Sequence, residues 1–398
     1  MSQLQISRSP DLSRLRAEGY NISVEGGYLV MREVPYVTPS KQIARCIIAD
    51  PYNDASGRPN DHTMWVSGEK PSDENGQVRA GWFAGDGPLH NQQIGPYVVA
   101  QWYLSIKMKG EANQPIDDAD YYSKFTRYVE KLGAPVRALG GTVIARTYPP
   151  VLPDAEENLV FKYHDTASIR ADIVPISKKL EGQRVAIVGV GGTGSYILDL
   201  VAKTPVAEIH LYDPDTFLQH NAFRAPGAAS VDDLGRKLHK VDYFTEVYGK
   251  MRVGIVPHPT GVTAENAHEL GTMNFVFIAA DPGEHKKLAI AALQQSGVPF
   301  VDCGMGLYVV DGSIAGQLRL TTVTHSKADH VDRHIKPNQA GVPNEYAHNI
   351  QVAELNALNA TFAVVRWKKH SGFYNDLEHE HQSTYAVDGN ALLNEEFQ

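Results

Sequence analysis

The stretch 184–224 constrains the fold more than any other part of the sequence. It opens with Arg184–Val188, a short apolar run that is typical of a buried parallel strand. A G-x-G-x-x-G motif follows at once and is formed by Gly189, Gly191 and Gly194. Such glycines allow a tight turn and let backbone N–H groups approach a phosphate at the start of the next helix. The stretch therefore predicts a nucleotide-binding β–α–β unit.

Polar residues after the second strand extend this motif. The run Ile209–Tyr212 predicts that strand, and Asp213 closes it, where an acidic side chain can accept a hydrogen bond from a ribose hydroxyl. Asp215, Asn221 and Arg224 complete the order D-x-D-x-x-x-x-x-N-x-x-R. Arginine offers a forked cation to phosphate oxygens, and hydride transfer needs no such group. The pattern therefore favours an enzyme that handles a nucleoside triphosphate.

The ordered set of motifs resembles the ThiF/HesA/MoeB superfamily of ubiquitin-activating-enzyme-like adenylyltransferases, over about residues 165–370. The resemblance implies a Rossmann-like, doubly wound, mostly parallel α/β sheet, with ATP bound over the glycine loop. By the same resemblance, the nucleotide-binding residues in the two motifs are Gly189, Gly191, Gly192, Gly194, Asp213, Asp215, Asn221 and Arg224.

The family lysine has two candidates in this chain. Members carry a Lys shortly after N-x-x-R, usually in a G-x-x-K run that opens a helix. Lys237 and Lys240 both follow Gly235, and their spacing does not decide which of them contacts ATP. We favour Lys240, because K-V-D followed by an aromatic pair resembles the helix that carries the family lysine. A position on a solvated helix face is the alternative for both.

Two further charged residues match the family by position. Asp281 follows the apolar strand Phe275–Ile278, and the matching Asp of the family coordinates Mg²⁺ at the ATP phosphates. Helix N-capping is the alternative role for Asp281, and Pro282 departs from the Asp-Asn that many members have. Arg170 precedes the first strand, where family dimers carry an Arg that reaches the partner's ATP. The resemblance thus implies Mg²⁺ and a homodimer, and a surface role is the alternative for Arg170.

Composition limits the class of protein. The formal net charge is −9 and no basic block occurs, which argues against a nucleic-acid surface. No apolar run reaches the roughly 18 residues of a membrane span, and residues 1–30 lack a signal-peptide pattern. Two cysteines, Cys46 and Cys303, are too few for the Cys₄ zinc site of many family members. We therefore expect a cytoplasmic enzyme, in a reducing compartment.

The length of 398 residues is sufficient for two domains. Residues 1–150 mix strand-like runs with one helical run, which predicts a smaller α+β domain of unknown role. A proline-rich stretch marks 151–164 as a linker. Residues 165–398 then alternate strand and helix patterns, as expected for the adenylation domain. Within it, the polar segment 321–348 is predicted to be a long loop.

Three further segments carry predictions about secondary structure. Residues 371–398 are predicted to form a solvated tail or an arm across the domain. The segment 166–182 is predicted to be a helix, with an apolar face made by Ile169, Ile173, Ile176 and Leu180. The segment Asn349–His370 is also predicted to be a helix, with one apolar side made by Ile350, Leu355, Leu358, Phe362 and Val365.

A covalent intermediate would require a nucleophile, and Cys303 is the nearest thiol to the predicted site. Ubiquitin-activating enzymes often pass the acyl group to a Cys in a loop after the sheet, and the segment 321–348 contains none. Cys303 is expected at the end of a strand that covers 299–302. We therefore prefer a buried thiol beside the pocket to an acyl acceptor.

The sequence as a whole predicts ATP-dependent adenylation of a C-terminal carboxylate, with release of pyrophosphate. The substrate would be a ubiquitin-like modifier or a sulfur-carrier protein, and a ubiquitin-conjugating-enzyme-like protein is a further candidate partner. Catalytic roles are implied for Arg170, Arg224, Lys240 and Asp281. One alternative is a nucleotide-binding scaffold without catalysis. The other is an NAD-dependent oxidoreductase, which fits the glycine motif and Asp213 equally well but does not account for N-x-x-R, the lysine helix or Asp281.

Overall fold

Each of the two units of the chain, Met1–Asn158 and Leu159–Gln398, is built around its own buried apolar residues. The computed structural model describes residues 2–53, 55–79, 81–83, 87–109, 115–152, 159–336 and 350–397. The first unit consists of α1 (Ser2–Arg8), α2 (Pro10–Ala17), β1 (Asn21–Glu25), β2 (Tyr28–Val37), β3 (Ile43–Pro51), β4 (Thr63–Val66), β5 (Gln92–Gly95), β6 (Val98–Ala100), β7 (Trp102–Ser105), β8 (Met108–Lys109), β9 (Pro115–Ile116) and α3 (Tyr121–Ala138).

A five-stranded antiparallel sheet in the order β1-β2-β3-β4-β7 forms the centre of the first unit. Helix α3 packs on it because Tyr121, Phe125, Tyr128 and Leu132 recur at helical spacing and are all buried. The Asp120 side chain caps the helix by accepting a hydrogen bond from the Ser123 N–H. The prediction of a smaller domain with mixed strands and helix is therefore confirmed.

The second unit alternates strands and helices. Its elements are α4 (Thr166–Arg170), α5 (Val174–Ser177), β10 (Arg184–Val188), α6 (Gly192–Val201), β11 (Glu208–Tyr212), α7 (Gln219–Ala222), α8 (Val231–Gly235), α9 (Lys240–Tyr248), β12 (Ile255–His258), β13 (Phe275–Ile278), α10 (Glu284–Ser296), β14 (Phe300–Val310), β15 (Ser313–Val323), α11 (Val331–His334), α12 (Ala353–His370), β16 (Glu380–Ala386) and β17 (Ala391–Phe397).

These strands form one eight-stranded sheet in the order β12-β11-β10-β13-β14-β15-β16-β17. The first five strands in this order are parallel, and the last three extend the sheet by antiparallel pairing. Helices α6, α9 and α12 contribute to the apolar core on one face, and α10 to the core on the other. The predicted mostly parallel Rossmann-like sheet is therefore confirmed.

The order of the strands positions the candidate site. Strand β10 lies between β11 and β13, so the chain runs outward in opposite directions from this point. Four of the five residues of β10 are buried, as expected for a strand covered on both faces. Open α/β sheets bind ligands in the crevice at the carboxyl ends of the strands where the order reverses. Residues that follow β10, β11 and β13 therefore meet at one edge.

The segment before the first strand of this sheet differs from the prediction of one continuous helix. It contains α4, then a turn with Asp172 at φ +54°, then α5 and a 3₁₀ turn at Lys178–Leu180. Pro175 lies in the first turn of α5, a position where proline begins a helix. Only Leu180 of the predicted apolar face is fully buried, and Ile176 is 37% exposed. Apolar spacing alone did not reveal the left-handed residue that interrupts the helix.

Helix α12 exists as predicted but buries a different side. Leu355, Leu358 and Phe362 are only partly buried. The side chains that are buried on the helix are Asn356, Asn359, Ala360, Ala363, Val364, Arg366 and Trp367. The buried residues in the first half of the helix are small or polar, because Asn356 packs closely against Gly192 of α6, whereas the second half buries Val364 and Trp367.

The carboxyl-terminal third of the second unit also departs from the predictions. Strand β15 continues through Val323, so Thr321–Val323 is not part of a loop, and α11 lies inside the segment predicted to be irregular. Residues 337–348 of that predicted loop lie outside the described residues. Residues 380–397 are not a tail, because they form β16 and β17 at the edge of the sheet. Pairing with β15, which is a tertiary effect, explains this result.

Candidate active site

The glycine loop packs tightly against the strand beside it. Gly189 follows β10 at φ +88°, a left-handed conformation that favours glycine. A Cβ atom at Gly189 would lie 2.8 Å from the carbonyl oxygen of Ala279, and one at Gly194 would lie 1.8 Å from the carbonyl oxygen of Gly189. No L side chain fits at either position. These two glycines bring the start of α6 close to the sheet.

Of the other two glycines of the loop, Gly191 leaves open space above the first turn of α6 and Gly192 packs against α12. Gly191 is the N-cap of α6, and a Cβ atom there would meet no atom of the described residues within 4 Å. A Cβ atom at Gly192 would lie 2.2 Å from the Asn356 side chain. The free backbone N–H groups of a first helical turn, together with the helix dipole, form a binding place for a phosphate. The open side of the loop at Gly191 is accessible to such a group.

Asp213 links the glycine loop to the end of β11. It is only 5% exposed, and its Oδ2 accepts a hydrogen bond of 2.7 Å from the Val190 N–H. Its Oδ1 accepts one of 2.9 Å from the Asp215 N–H and lies 3.4 Å from the Lys240 Nζ. Each carboxylate oxygen has a second lone pair, so Asp213 retains capacity to accept from a ribose hydroxyl.

Lys240, and not Lys237, is brought to the end of β11. It is the first residue of α9, is 6% exposed, and donates a hydrogen bond of 2.7 Å to the Asp215 Oδ2. The Asp215 side chain itself is 67% exposed. Lys237 is exposed in the connection before α9, at φ +49°. The structure therefore distinguishes the two lysines by position, which their spacing did not.

Asn221 and Arg224 lie on and just after the short helix α7. Asn221 is 4% exposed, and its Oδ1 accepts a hydrogen bond of 2.8 Å from the Leu218 N–H. The carbonyl oxygen of Asn221 accepts a hydrogen bond of 3.1 Å from the Arg224 N–H. Arg224 is half-buried, and its Nε is buried without a hydrogen-bond partner among the described residues. Asn221 thus shapes the turn, and Arg224 retains donors for a ligand.

Asp281 lies exposed after β13, on the segment that packs against the glycine loop through Ala279. The helix that follows, α10, has Gly283 as its N-cap. The alternative role of Asp281 as the N-cap of α10 is therefore wrong. The carboxylate lies at the carboxyl edge of the sheet, where β13 pairs with β10.

Arg170 is the last residue of α4 and is exposed. Its side chain is thus available to solvent on the second unit. A role in the site of a partner chain remains a prediction, because it requires a second copy of the protein.

Two asparagines of α12 border the site, and sequence patterns did not identify them. The Asn356 Oδ1 accepts a hydrogen bond of 2.9 Å from the Thr193 hydroxyl, and its Nδ2 donates one of 3.5 Å to the Arg224 carbonyl oxygen. The Asn359 Nδ2 donates one of 3.2 Å to the carbonyl oxygen of Gly304. Asn356 therefore connects the glycine loop to the arginine. Two polar residues among the buried positions of a helix are the signal that could have revealed this role.

Both thiols are buried in strands. Cys46 lies in β3, and Cys303 lies within β14, which continues to Val310. The prediction that Cys303 ends its strand is therefore wrong, because antiparallel pairing with β15 extends β14 well beyond it. Desolvation by burial raises the pKa of both thiols above the usual range for cysteine. Neither is a reactive thiolate in this conformation.

Within the described residues, no group of three or more His, Cys, Asp and Glu side chains is arranged to hold a metal ion. Histidines near the ends of β15 and β16 instead make hydrogen bonds. The Nε2 of His330 lies 2.9 Å from the Thr322 carbonyl oxygen, and that of His334 lies 3.0 Å from the Glu396 Oε1. A magnesium ion held mainly by phosphates and water needs only one or two carboxylates from the protein.

None of the helices in the described ranges is long and apolar enough to cross a membrane.

Two protein families and several solved structures are similar to parts of this chain. Residues 166–362 match the ThiF family, and residues 10–166 match DUF6791, a domain of unknown function. A structure of E. coli MccB with ATP is 18% identical, with a TM-score of 0.43, over 56% of this chain. A structure of PaaA is 16% identical over 56% of this chain and 75% of that chain, also at a TM-score of 0.43.

This chain spans 66% of the MccB chain, slightly less than two thirds of its length. Likenesses at this identity and TM-score do not bear on function. None of the curated proteins matches this chain. The match to the ThiF family identifies the domain in this part of the chain, because it covers the glycine loop, the motif after β11 and Asp281. The chain therefore contains a ThiF family domain at residues 166–362, behind a DUF6791 domain at residues 10–166.

Proposed function

We propose that this chain is an ATP-dependent adenylyltransferase, which activates the C-terminal carboxylate of a ubiquitin-like or sulfur-carrier protein. The observation that carries the proposal is the cluster of charged side chains at the carboxyl ends of β10, β11 and β13. Lys240 is held there by Asp213 and Asp215, Arg224 follows α7, and Asp281 follows the strand β13. A glycine loop alone suits a dinucleotide equally well, but cations and an extra carboxylate at this edge suit a triphosphate.

ATP would bind across the glycine loop, with its ribose on Asp213. The open side of the loop at Gly191 leaves its backbone N–H groups free to approach a phosphate. Without a nucleotide, the Lys240 ammonium group donates a hydrogen bond to Asp215. Because the Asp215 carboxylate is mostly exposed, water can solvate it when a phosphate oxygen takes its place beside Lys240. The buried Nε of Arg224 is a further donor, without a hydrogen-bond partner in the part of the chain that the structure describes. Arg170 of a second copy is proposed to complete the phosphate site in a homodimer.

The residues present fit a magnesium ion bound together with ATP. Asp281 is an exposed carboxylate at the end of β13, and Mg²⁺ usually combines one or two carboxylates with phosphate oxygens and water. When bound, the ion would neutralise charge that develops on the leaving pyrophosphate. The protein itself contributes Arg224 and Lys240, whose positive charges stabilise the same developing charge.

The reaction needs no nucleophile from the enzyme. A carboxylate oxygen of the carrier attacks the α-phosphorus, the bond from that phosphorus to the bridging oxygen breaks, and pyrophosphate leaves with its electrons. The product is an acyl-adenylate. Because both cysteines are buried in strands, transfer of the acyl group directly to an external nucleophile is favoured over a thioester on this chain. A ubiquitin-conjugating-enzyme-like protein would be one source of such a nucleophile.

We expect Asp281→Ala to abolish ATP–pyrophosphate exchange while most ATP affinity is kept. The carboxylate is proposed to hold the metal, so its loss removes charge stabilisation in the transition state more than ground-state binding. The assay follows radiolabelled pyrophosphate into ATP, with a ubiquitin-like protein that ends in Gly as the carboxylate donor. Calorimetric titration of the same proteins with ATP and, separately, with NAD measures nucleotide preference.

Glu378→Ala is the matched control, since it removes an exposed carboxylate from a connection before β16. Exchange by Asp281→Ala at the wild-type rate would remove Asp281 from the mechanism. Binding of NAD in place of ATP by the wild-type protein would overturn the adenylation proposal in favour of an oxidoreductase. ATP binding without exchange for any carrier would instead favour the scaffold.

A further inference from the structure

A second charged cluster lies at the same edge of the sheet, outside the groups assigned to ATP. Asp302 of β14 pairs with the last residue of β13, the strand that leads to Asp281. Lys286 lies on α10, which begins shortly after Asp281. Arg319 lies on β15, directly opposite Gly304 of β14. The proposed function leaves Lys286, Asp302 and Arg319 without a role, and we call them the β14 cluster.

The β14 cluster is centred on a buried ion pair. The Lys286 Nζ lies 2.5 Å from the Asp302 Oδ1, and these side chains are 3% and 0% exposed. The Arg319 Nη2 lies 3.7 Å from the Asp302 Oδ2, which is too long for a hydrogen bond. Neither carboxylate oxygen of Asp302 has a hydrogen-bond partner among the described residues, so Asp302 attracts both Lys286 and Arg319 by charge.

The β14 cluster carries two positive charges and one negative charge. Taking a charge out of water is unfavourable unless an opposite charge or hydrogen bonds compensate for it. Within the described part of the chain the Arg319 guanidinium makes no hydrogen bond, and its Nε is buried. Its side chain is still 33% exposed, so a ligand can reach it from solvent. The excess charge and the unused donors both indicate an anion as the missing partner.

The strand opposite makes room for this arginine. A Cβ atom at Gly304 would lie 2.8 Å from the Arg319 Nη2 and 3.1 Å from its Cζ. The guanidinium therefore lies across a position without a side chain. At Gly306, farther along β14, a Cβ atom would meet no atom of the described residues within 4 Å. The backbone at Gly306 thus forms an open floor beside the cation.

We propose that the β14 cluster is a carboxylate receptor, in which Arg319 binds a carboxylate of the incoming carrier tail. The planar guanidinium suits a carboxylate, which it can grip with two parallel hydrogen bonds. The tail would lie along the glycine floor of β14 on its way to the nucleotide. The carboxylate is either the terminal one, held before it attacks ATP, or an acidic side chain close to it. Arg319 would then determine which tails are accepted.

This inference rests on the proposed function, but its test does not depend on ATP. Saturation-transfer NMR of the full chain measures binding of three small probes. Glycylglycine carries a terminal carboxylate, N-acetylaspartyl-glycinamide carries only a side-chain carboxylate, and glycylglycinamide carries none. We expect a signal for one or both carboxylates and a much weaker signal for glycylglycinamide. The stronger of the first two probes identifies the source of the carboxylate.

Arg319→Gln is expected to lower the affinity for the bound carboxylate by at least about tenfold, because it removes the charge of the receptor. Gly304→Ala is an independent variant, in which the added methyl group displaces only the end of a flexible side chain. It is expected to weaken the same probe. Lys287→Gln is the matched control, since it removes a cation with a 52% exposed side chain one residue from Lys286.

An equal signal for glycylglycinamide and glycylglycine would overturn the receptor, and so would unchanged binding in both Arg319→Gln and Gly304→Ala. Thermal unfolding by circular dichroism verifies that each variant is folded. Calorimetry with ATP on the same proteins separates the two proposals. If a variant loses carboxylate binding but still binds ATP, the effect lies in the β14 cluster. If the wild-type protein does not bind ATP, that result refutes the proposed nucleotide site but not the carboxylate receptor.

Discussion

At the scale of single residues, neighbours in one motif have different physical roles. The Asn221 side chain accepts a hydrogen bond from the backbone of its turn, whereas the Nε of Arg224 is a buried donor without a partner among the described residues. Lys240 is buried between two carboxylates, whereas Lys237 is exposed in a left-handed turn. The sequence predicted the chemical type of each group. It did not decide between the lysines, because that depends on where α9 begins.

Arg224→Ala is expected to weaken ATP binding about 10- to 100-fold and to leave AMP binding nearly unchanged. A charge-assisted hydrogen bond contributes roughly 1.5–3 kcal/mol, and the proposed contact is to phosphates that AMP lacks. Calorimetric titration with both nucleotides measures the difference. Arg236→Ala is the control, because that arginine is exposed and pairs with Glu246. Equal losses for ATP and AMP would show that Arg224 stabilises the fold and does not bind the triphosphate.

At the scale of elements, the glycine loop and helix α12 show where local patterns suffice and where they fail. The G-x-G-x-x-G spacing predicted the loop because its reasons are local, namely a left-handed turn and a close approach of α6. The buried side of α12 was mispredicted because Asn356 and Asn359 face inward. Apolar periodicity assumes that a helix buries its apolar side, and this helix borders a polar site.

Gly194→Ala and Gly191→Ala are expected to have different effects. The first should lower the stability of the fold, and the second should weaken ATP binding. The first places a methyl group against the backbone of Gly189 and should lower the free energy of unfolding by about 1–3 kcal/mol or more. The second meets no atom and should preserve stability while it weakens ATP binding, because the methyl group occupies the space above the loop. Urea denaturation and ATP titration measure the two effects.

Gly235→Ala is the control for this pair, since it also meets no atom and lies away from the loop on α8. It should change neither stability nor ATP affinity. If Gly191→Ala bound ATP as the wild type does, the phosphate would not lie over this loop. A fully stable Gly194→Ala would contradict the close packing of α6 on β10.

At the scale of the whole molecule, the two cysteines lie in different units and both are buried in strands. The double variant Cys46→Ala, Cys303→Ala is therefore expected to support both ATP–pyrophosphate exchange and transfer to an external nucleophile. Burial raises the pKa of each thiol, so neither provides a thiolate at neutral pH. Loss of two small buried groups should cost about 1 kcal/mol each in stability.

A non-reducing gel of the wild-type protein with ATP, Mg²⁺ and the ubiquitin-like protein tests the same point. We expect no band that dithiothreitol removes. An adduct that dithiothreitol cleaves, present in the wild type and absent in Cys303→Ala, would be a thioester and would make Cys303 the acyl acceptor. Strand β14 would then have to open to expose it.

The sequence by itself determined the features that depend on short-range geometry. Strand β10, the glycine loop, Asp213 at the end of β11 and Asp281 after β13 all follow from residues close together in the chain. Tertiary structure decided the rest. Residues 380–397 form β16 and β17 because β16 pairs with the edge of β15. Arg319 lies near Asp302 because the register of β14 and β15 brings these residues together. Such contacts join distant parts of the chain, and no local pattern specifies them.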